Sequence, residues 1–227
     1  MSAIDLGIPR PRIMQGDFCQ LDLKVVRREY LKKPKSIPKV DLFKTLQQRE
    51  SRRSFGEVTK EQLSVLLWSC CHPTKRFKSK TGLYWEHRPV PSAGGKHPVE
   101  VIVINPTNSG WEPALYDPIA HCLCYFEYSD EVFQDLICDV DDTLAIQNGT
   151  VLCLAANFSK VRAAYHNPES LVWRDVGILI GYFTIVAEAI QLSCCPIGIT
   201  GEPSLSLMLD SPSTIGVGGL IIGQIID

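Results

Sequence analysis

The chain has 227 residues, a formal net charge of -2, 45% hydrophobic residues and 21% charged ones. That length allows one sizeable core with an extension and argues against two full domains. The near-neutral charge lacks the electrostatic footprint of a nucleic-acid or anionic-membrane binder. The longest apolar stretch, Val176 to Ala187, is too short to span a bilayer, so neither nucleic acid nor membrane is expected as a partner.

In chain order, residues 1–38 carry Pro9, Pro11, Pro34 and Pro38 with little periodicity and read as an N-terminal extension, leaving residues 39–227 as the domain. Basic residues crowd between Lys24 and Arg53, as a solvated arm or as an arm whose end meets a bound anion. Val40 to Gln48 reads as a short helix. Thr59 to Cys70 is a clearer one, with Thr59 as N-cap and Gln62 three residues on. Gly94-Gly95 marks a turn, and Val99 to Ile104 is a buried strand. Ala114 to Tyr116 reads as a short strand broken by Asp117-Pro118. Ser129 to Cys138 reads as a Ser-capped helix, and Val151 to Ala155 as a second buried strand. Arg174 to Gln191 is a helix apolar nearly all round, which needs cover on several sides, from a second subunit or from the rest of its own domain. Gly216 to Ile226 is a glycine-interrupted final strand.

Nine cysteines, an odd number with two vicinal pairs, argue against a disulfide framework and for a reducing cytoplasm. Cys122 and Cys124 have a single residue between them, and nothing nearby in the chain completes a tetrahedral set, so no metal site is expected. The five histidines share no spacing.

Three stretches could carry chemistry. In Arg49-Glu50-Ser51-Arg52-Arg53-Ser54-Phe55, Arg49, Ser51 and Arg53 share one side of an extended backbone and could cradle a phosphate or a carbonyl edge; a solvated helix end is the plainer reading. Pro91-Ser92-Ala93-Gly94-Gly95 leaves room for a flat ligand, with Ser92 as a donor, though a tight turn explains it equally well. In Cys195-Pro196-Ile197-Gly198, a glycine N–H could approach a planar ring, or the segment is a simple helix-to-strand turn.

Taken together and in order, these stretches resemble the nitroreductase superfamily, in its SagB-type dehydrogenase branch. "RESRRSF" is similar to the family's R-x-S-x-R-x-F; "EQLSVLLWSC", "RPVPSAGGKHPVEVIVIN", "ALYDPIAHCL" and "WRDVGILIGYFTIVAEAIQLSCCPIG" follow in the family's sequence of elements. The resemblance covers about Phe43 to Ile226. It implies an α+β fold, an antiparallel-rich central sheet flanked by helices, and a domain-entwined homodimer holding FMN at its interface. By position, Arg49, Ser51 and Arg53 would hold the FMN phosphate, ribityl chain and pyrimidine edge. Pro91, Ser92, Ala93 and Gly94 would line the isoalloxazine from the partner, Pro196, Ile197 and Gly198 would pass behind it near N5, and Arg174 would lie near the flavin or the interface. The implied activity is hydride transfer between a small organic or peptide-derived substrate and flavin N5; the alternatives are an NAD(P)H-dependent nitro or quinone reductase and a non-catalytic partner subunit.

The chain departs from the pattern in three places. Ala164-Tyr165 stands where azoline oxidisers carry Lys-Tyr, which leaves Tyr165 as the acid or base, with Lys160 or Arg162 as substitutes for the lysine. Ile180 stands where an acidic residue often precedes the long helix's glycine. The chain ends Gly223-Gln224-Ile225-Ile226-Asp227, without the basic residue that many relatives carry after the last strand.

Overall fold

The computed structural model describes residues 6–80 and 82–226. Its elements, in chain order, are β1 (Arg10–Pro11), β2 (Val25–Tyr30), α1 (Leu42–Gln48), α2 (Lys60–Cys71), β3 (Lys75–Lys78), β4 (Tyr84–His87), a 3-10 turn (Ala93–Gly95), β5 (Val99–Thr107), β6 (Gly110–Asp117) and β7 (Cys122–Phe126). There follow α3 (Asp130–Thr143), β8 (Thr150–Asn157), α4 (Phe158–Arg162), β9 (Tyr165–His166), α5 (Glu169–Ala189), β10 (Leu192–Ile197), α6 (Ser204–Leu209) and β11 (Thr214–Gln224). Seven strands form one sheet in the order β10-β11-β8-β5-β6-β7-β2, with every pairing antiparallel. This is the α+β, antiparallel-rich fold that the resemblance implies.

Strand alternation sorts the core onto the two faces of the sheet. Val101, Val103, Leu152, Leu154, Leu220 and Ile222 pack with α2 and α5 residues such as Leu66, Leu67, Val176 and Phe183. Their neighbours Ile102, Ile104, Val151, Cys153 and Ile221 face Phe133, Leu136 and Val140 of α3 and Leu205 and Met208 of α6. Both faces being covered, the central strands carry long apolar runs (Val101 to Ile104 and Val151 to Ala156), which is why composition alone exposes them. In β11 the register slips between Gly216 and Gly218, and Gly218 takes φ +141°, a conformation that only glycine adopts without strain.

Helix α2 starts where its signals place it. Thr59 accepts from Gln62 N while Gln62 Oε1 accepts from Thr59 N, a closed capping box. Helix α3 begins after Ser129, but the Ser129 side chain makes no capping bond. Acidic Asp130 and Glu131 in its first turn supply the favourable charge instead.

Several elements differ from expectation. Helix α5 starts at Glu169, five residues before Arg174, and at 21 residues is long and apolar enough to cross a membrane by length and composition. It lies against the sheet, with Val176, Leu179, Phe183 and Ala187 buried and with buried Asp175 and Glu188 both hydrogen-bonded. The segment read as an extension supplies two strands. β2 closes the sheet edge against β7, and β1 pairs with β9.

Candidate functional site

The first cluster forms at the N-terminal end of α5. The chain leaves β4, passes Arg88 to Pro91, and turns through Ser92–Gly95 with Gly94 at φ +57° and Gly95 at φ +61°. Asp175, nearly two turns into α5, holds this loop. Its carboxylate accepts from Ser92 Oγ at 2.7 Å and from Ala93 N at 3.1 Å. Burial raises the Asp175 carboxyl above its ordinary range, and the bonds from Ser92 and Ala93 pull it back in part. Ser92 Oγ also accepts from His97 N at 3.0 Å, so the hydroxyl expected to face a ligand is occupied in fixing the loop.

Beneath the loop lies a charged network. Glu86 is ion-paired to Arg88 at 2.6 Å and to Arg76 at 2.8 Å. Burial alone would raise the Glu86 carboxyl, but Arg88 and Arg76 together bring it below its ordinary value. His97 Nε2 lies 3.0 Å from the Glu86 carbonyl oxygen, which can only accept, so Nε2 carries the proton. Burial pushes the His97 imidazole down to about 4, with the Arg88 charge acting in the same direction.

Tyr165 sits against this loop. A Cβ built on Gly94 would meet the Tyr165 hydroxyl at 2.6 Å and the ring at 3.3 Å, so only glycine lets the phenol lie across the turn. The N-terminal arm fixes Tyr165 from outside, through the β1–β9 pairing and through Arg12, whose Nε donates to the Arg162 carbonyl at 2.7 Å. Arg174, exposed, is tied within its own helix to Ser170 O and Oγ, both at 3.0 Å. The substitutes for the missing lysine are engaged elsewhere: Lys160 pairs with Glu100, and Arg162 with Glu169.

The second cluster forms at the other end of α5. Phe55, fully buried, anchors the stretch after α1, and Gln147 clamps its backbone by accepting from Phe55 N and donating to Arg53 O. Arg52 turns inward to the buried carboxylate of Glu188, with its Nη1 2.6 Å from Oε2. Ser51 and Arg53 stay exposed and Arg49 is half-buried. Among the ion pairs of the described residues, Arg52 is this segment's paired arginine, and Arg49 and Arg53 take part in none. Arg49 faces β10. Burial first, then Cys195, push the Cys194 thiol up to about 12, and the Arg49 charge opposes them. From Cys195 the strand runs out to exposed Pro196, half-buried Ile197 and exposed Gly198, where an added Cβ would meet nothing within 4 Å. The segment read as a turn is therefore partly strand, paired residue by residue with β11.

The chain thus brings Arg49 toward Cys194 of β10 and Pro91–Gly94 to Tyr165; Pro196–Gly198 lies further along β10, where Ile197 pairs with Gly219 and the adjoining Gly218 lies beside Val176 and Ile180 of α5. The two groups sit at opposite ends of one helix: 13 residues separate Asp175 from Glu188, roughly 20 Å at 1.5 Å per residue. Between them α5 presents exposed Gly177, Ile178 and Tyr182, the last two 38% and 37% exposed. Sequence reading missed Asp175, Arg52 and Glu188. Their signal was a pair of carboxylates inside an otherwise apolar helix, since a buried carboxylate requires a partner.

This architecture is that of the nitroreductase fold, a class of oxidoreductases. The profile of the Nitroreductase family matches residues 46–223, and the chain belongs to that family. Among solved structures it is similar to a protein assigned as a nitroreductase from Ralstonia eutropha JMP134, with a TM-score of 0.69 and 19% identity over 95% of this chain and 100% of that one. A chain of the Escherichia coli microcin synthetase McbBCD complex, solved with truncated pro-MccB17 bound, has a TM-score of 0.56 and 15% identity over 88% of this chain and 79% of that one. A Desulfovibrio desulfuricans protein of the same assignment, solved with FMN, has a TM-score of 0.53 and 14% identity over 84% and 89%. These likenesses speak to the fold. No curated protein matches the chain.

Proposed function

We propose that the chain is an FMN-dependent oxidoreductase of the SagB-type branch, working as a homodimer on a small organic or peptide-derived substrate. The observation that carries this reading is the division of the site. Arg49 and Arg53, outside the ion pairs of the described residues, lie by the C-terminal end of α5, the open Gly198 exit lies beside its middle, and a glycine loop with Tyr165 lies at its N-terminal end, roughly 20 Å from the arginines. An apolar stripe lies between them. A two-fold axis across that stripe would bring the loop of one copy to the guanidiniums of the other, burying Ile178 and Tyr182 and completing one cleft from two incomplete halves.

The residues fit the group. Arg49 and Arg53 offer charge-assisted donors to a phosphate and a pyrimidine edge, and Ser51 a hydroxyl to the ribityl chain. The open space at Gly198 lets the Pro196–Gly198 backbone approach a planar ring. Pro91, Ser92, Ala93 and Gly94 of the second copy would form the opposite wall. FMN, when bound, supplies the hydride chemistry at N5. The protein's own part is to hold the substrate in contact range of roughly 3–3.5 Å, exclude water, and place the Tyr165 hydroxyl to give or take a proton. The likeness to a chain of the McbBCD microcin synthetase complex, solved with truncated pro-MccB17 bound, supports a peptide-derived substrate.

Ala164, together with the engagement of Lys160 and Arg162, favours a second reading: an NAD(P)H-dependent nitro or quinone reductase, which needs no such base. Oxidation of NAD(P)H with a quinone acceptor distinguishes the two. The test of the shared claim is the absorbance spectrum of the purified protein, with release and mass identification of the chromophore, where FMN is expected. Arg49→Ala with Arg53→Ala removes two charge-assisted contacts of about 1.5–3 kcal/mol each, enough to weaken FMN binding more than about 100-fold. Unchanged flavin occupancy would overturn the placement of the phosphate.

A further inference from the structure

A different cluster lies where β6 turns into β7, in a cleft whose wall also holds Arg76, Glu86 and Arg88, and its three members belong to neither cluster above. The register of β6 with β7 sets Asp117 directly across from Cys122, and the two-residue strand period puts Cys124 on the same face. The two Sγ atoms are 3.7 Å apart, and a carboxylate oxygen of Asp117 completes a set whose members all lie within 4.8 Å of one another. A tetrahedral ion with metal–sulfur bonds of about 2.3 Å holds two thiolates about 3.8 Å apart, so the sulfurs already stand at the span such an ion requires. Both cysteines are buried free thiols. Asp117 Oδ1 accepts from Ile119 N at 2.8 Å and Ala120 N at 3.0 Å, which orients the carboxylate, and Oδ2 has no hydrogen bond among the described residues.

The cluster is not sealed. Asp117 and Cys124 stand in the wall of a cleft of about 490 Å³, together with Arg28, Leu115 and Lys96. Arg28 is the cross-strand neighbour of Cys124. Two thiolates and a carboxylate around a divalent ion carry one net negative charge, and the Arg28 guanidinium balances it. Sequence spacing showed only a C-x-C pair; the strand register supplies the third ligand.

We propose that Asp117, Cys122 and Cys124 form a three-ligand site for a borderline-soft divalent cation of the zinc class, with a fourth position open to the cleft. On binding, two S–H bonds break and two metal–sulfur bonds form; both protons pass to solvent and the ion keeps its oxidation state. The open position takes a water or a small donor from the cleft.

The test uses the full-length reduced protein, stripped with a chelator and titrated with Co(II). One equivalent should give thiolate-to-metal charge transfer and d–d bands at wavelengths beyond flavin absorption, and Zn(II) should displace them. Zinc-edge X-ray absorption of the unsubstituted protein should then show two sulfur scatterers at about 2.3 Å with oxygen completing the shell. Cys122→Ser and Cys124→Ser should abolish the sulfur bands. Asp117→Asn should weaken Zn(II) at least about tenfold, since losing a ligand costs no less than losing a supporting partner. Cys19→Ser and Cys138→Ser, at exposed thiols, should change nothing. Bands that survive in the Cys122/Cys124 double variant, a zinc shell without two sulfurs, or undiminished affinity in Asp117→Asn would each overturn the site.

Discussion

Replacing Asp175 with alanine should loosen the Pro91–Gly95 loop while leaving α5 intact. The carboxylate accepts from Ser92 Oγ at 2.7 Å and Ala93 N at 3.1 Å, and Asp175 is only 7% exposed. Alanine leaves both donors without an acceptor, at about 1–3 kcal/mol each. Water reaches the half-buried loop, and removing a carboxylate that burial disfavours returns part of the loss, so a net cost of about 3 kcal/mol is expected. For a chain of this size that lowers Tm by about 6–12 °C at fixed protein concentration. Asparagine should cost less, about 1 kcal/mol, because one amide oxygen still accepts from Ala93 N. Its amide nitrogen, a donor, then faces Ser92 Oγ, which must rotate away from the donation it makes to the carboxylate. Thermal melts of both variants, with and without added FMN, read the effect, and flavin affinity should fall in the same order. An alanine variant that melts with the unsubstituted protein and binds flavin equally would refute the latch.

Arg52→Ala should cost about 3 kcal/mol or more, since it strands the Glu188 carboxylate, which is 5% exposed, without its partner. Arg52→Met with Glu188→Met should recover most of that loss; denaturant midpoints around the double-mutant cycle would show no coupling if the pair were idle. His97 has its pKa held at about 4 against an ordinary 6.5. Between those values the unfolded chain binds a proton that the folded one refuses, so stability falls as pH drops, by up to about 3 kcal/mol. Unfolding midpoints measured from neutral pH to about 4.5 should show this slope, reduced in His97→Gln; an equal slope in the variant would remove His97 from the account.

The central strands and the two capped or strongly apolar helices were readable because their signals are local. Thr59 and Gln62 close a capping box within four residues, and the runs through Val101, Val151 and Ile221 are apolar on both faces because both faces are buried. β2 was not readable: its VVRREY sequence has no alternation, and as an edge strand it leaves Val26 and Tyr30 exposed. β7 and β10 follow tight turns from β6 and α5, so their cysteine-bearing sequences merged with their neighbours. Motif order singled out Arg49, Arg53, Pro91–Gly94 and Pro196–Gly198 as candidates. It could not show that Ser92 points to Asp175, that Arg52 rather than Arg49 or Arg53 turns inward, or that Asp117 joins Cys122. Those are facts of register and packing between residues 5 to 136 positions apart.

The central claim is that one flavin site needs two chains, and the direct measurement is flavin absorbance across the sedimentation boundary of the unsubstituted protein and of Ile178→Glu. The substitution places a charge on the apolar stripe of α5, at a side chain that is 38% exposed in the single chain. The account predicts a flavin-bearing dimer for the first and a folded, colourless monomer for the second. A monomer that keeps its full complement of FMN would contradict it.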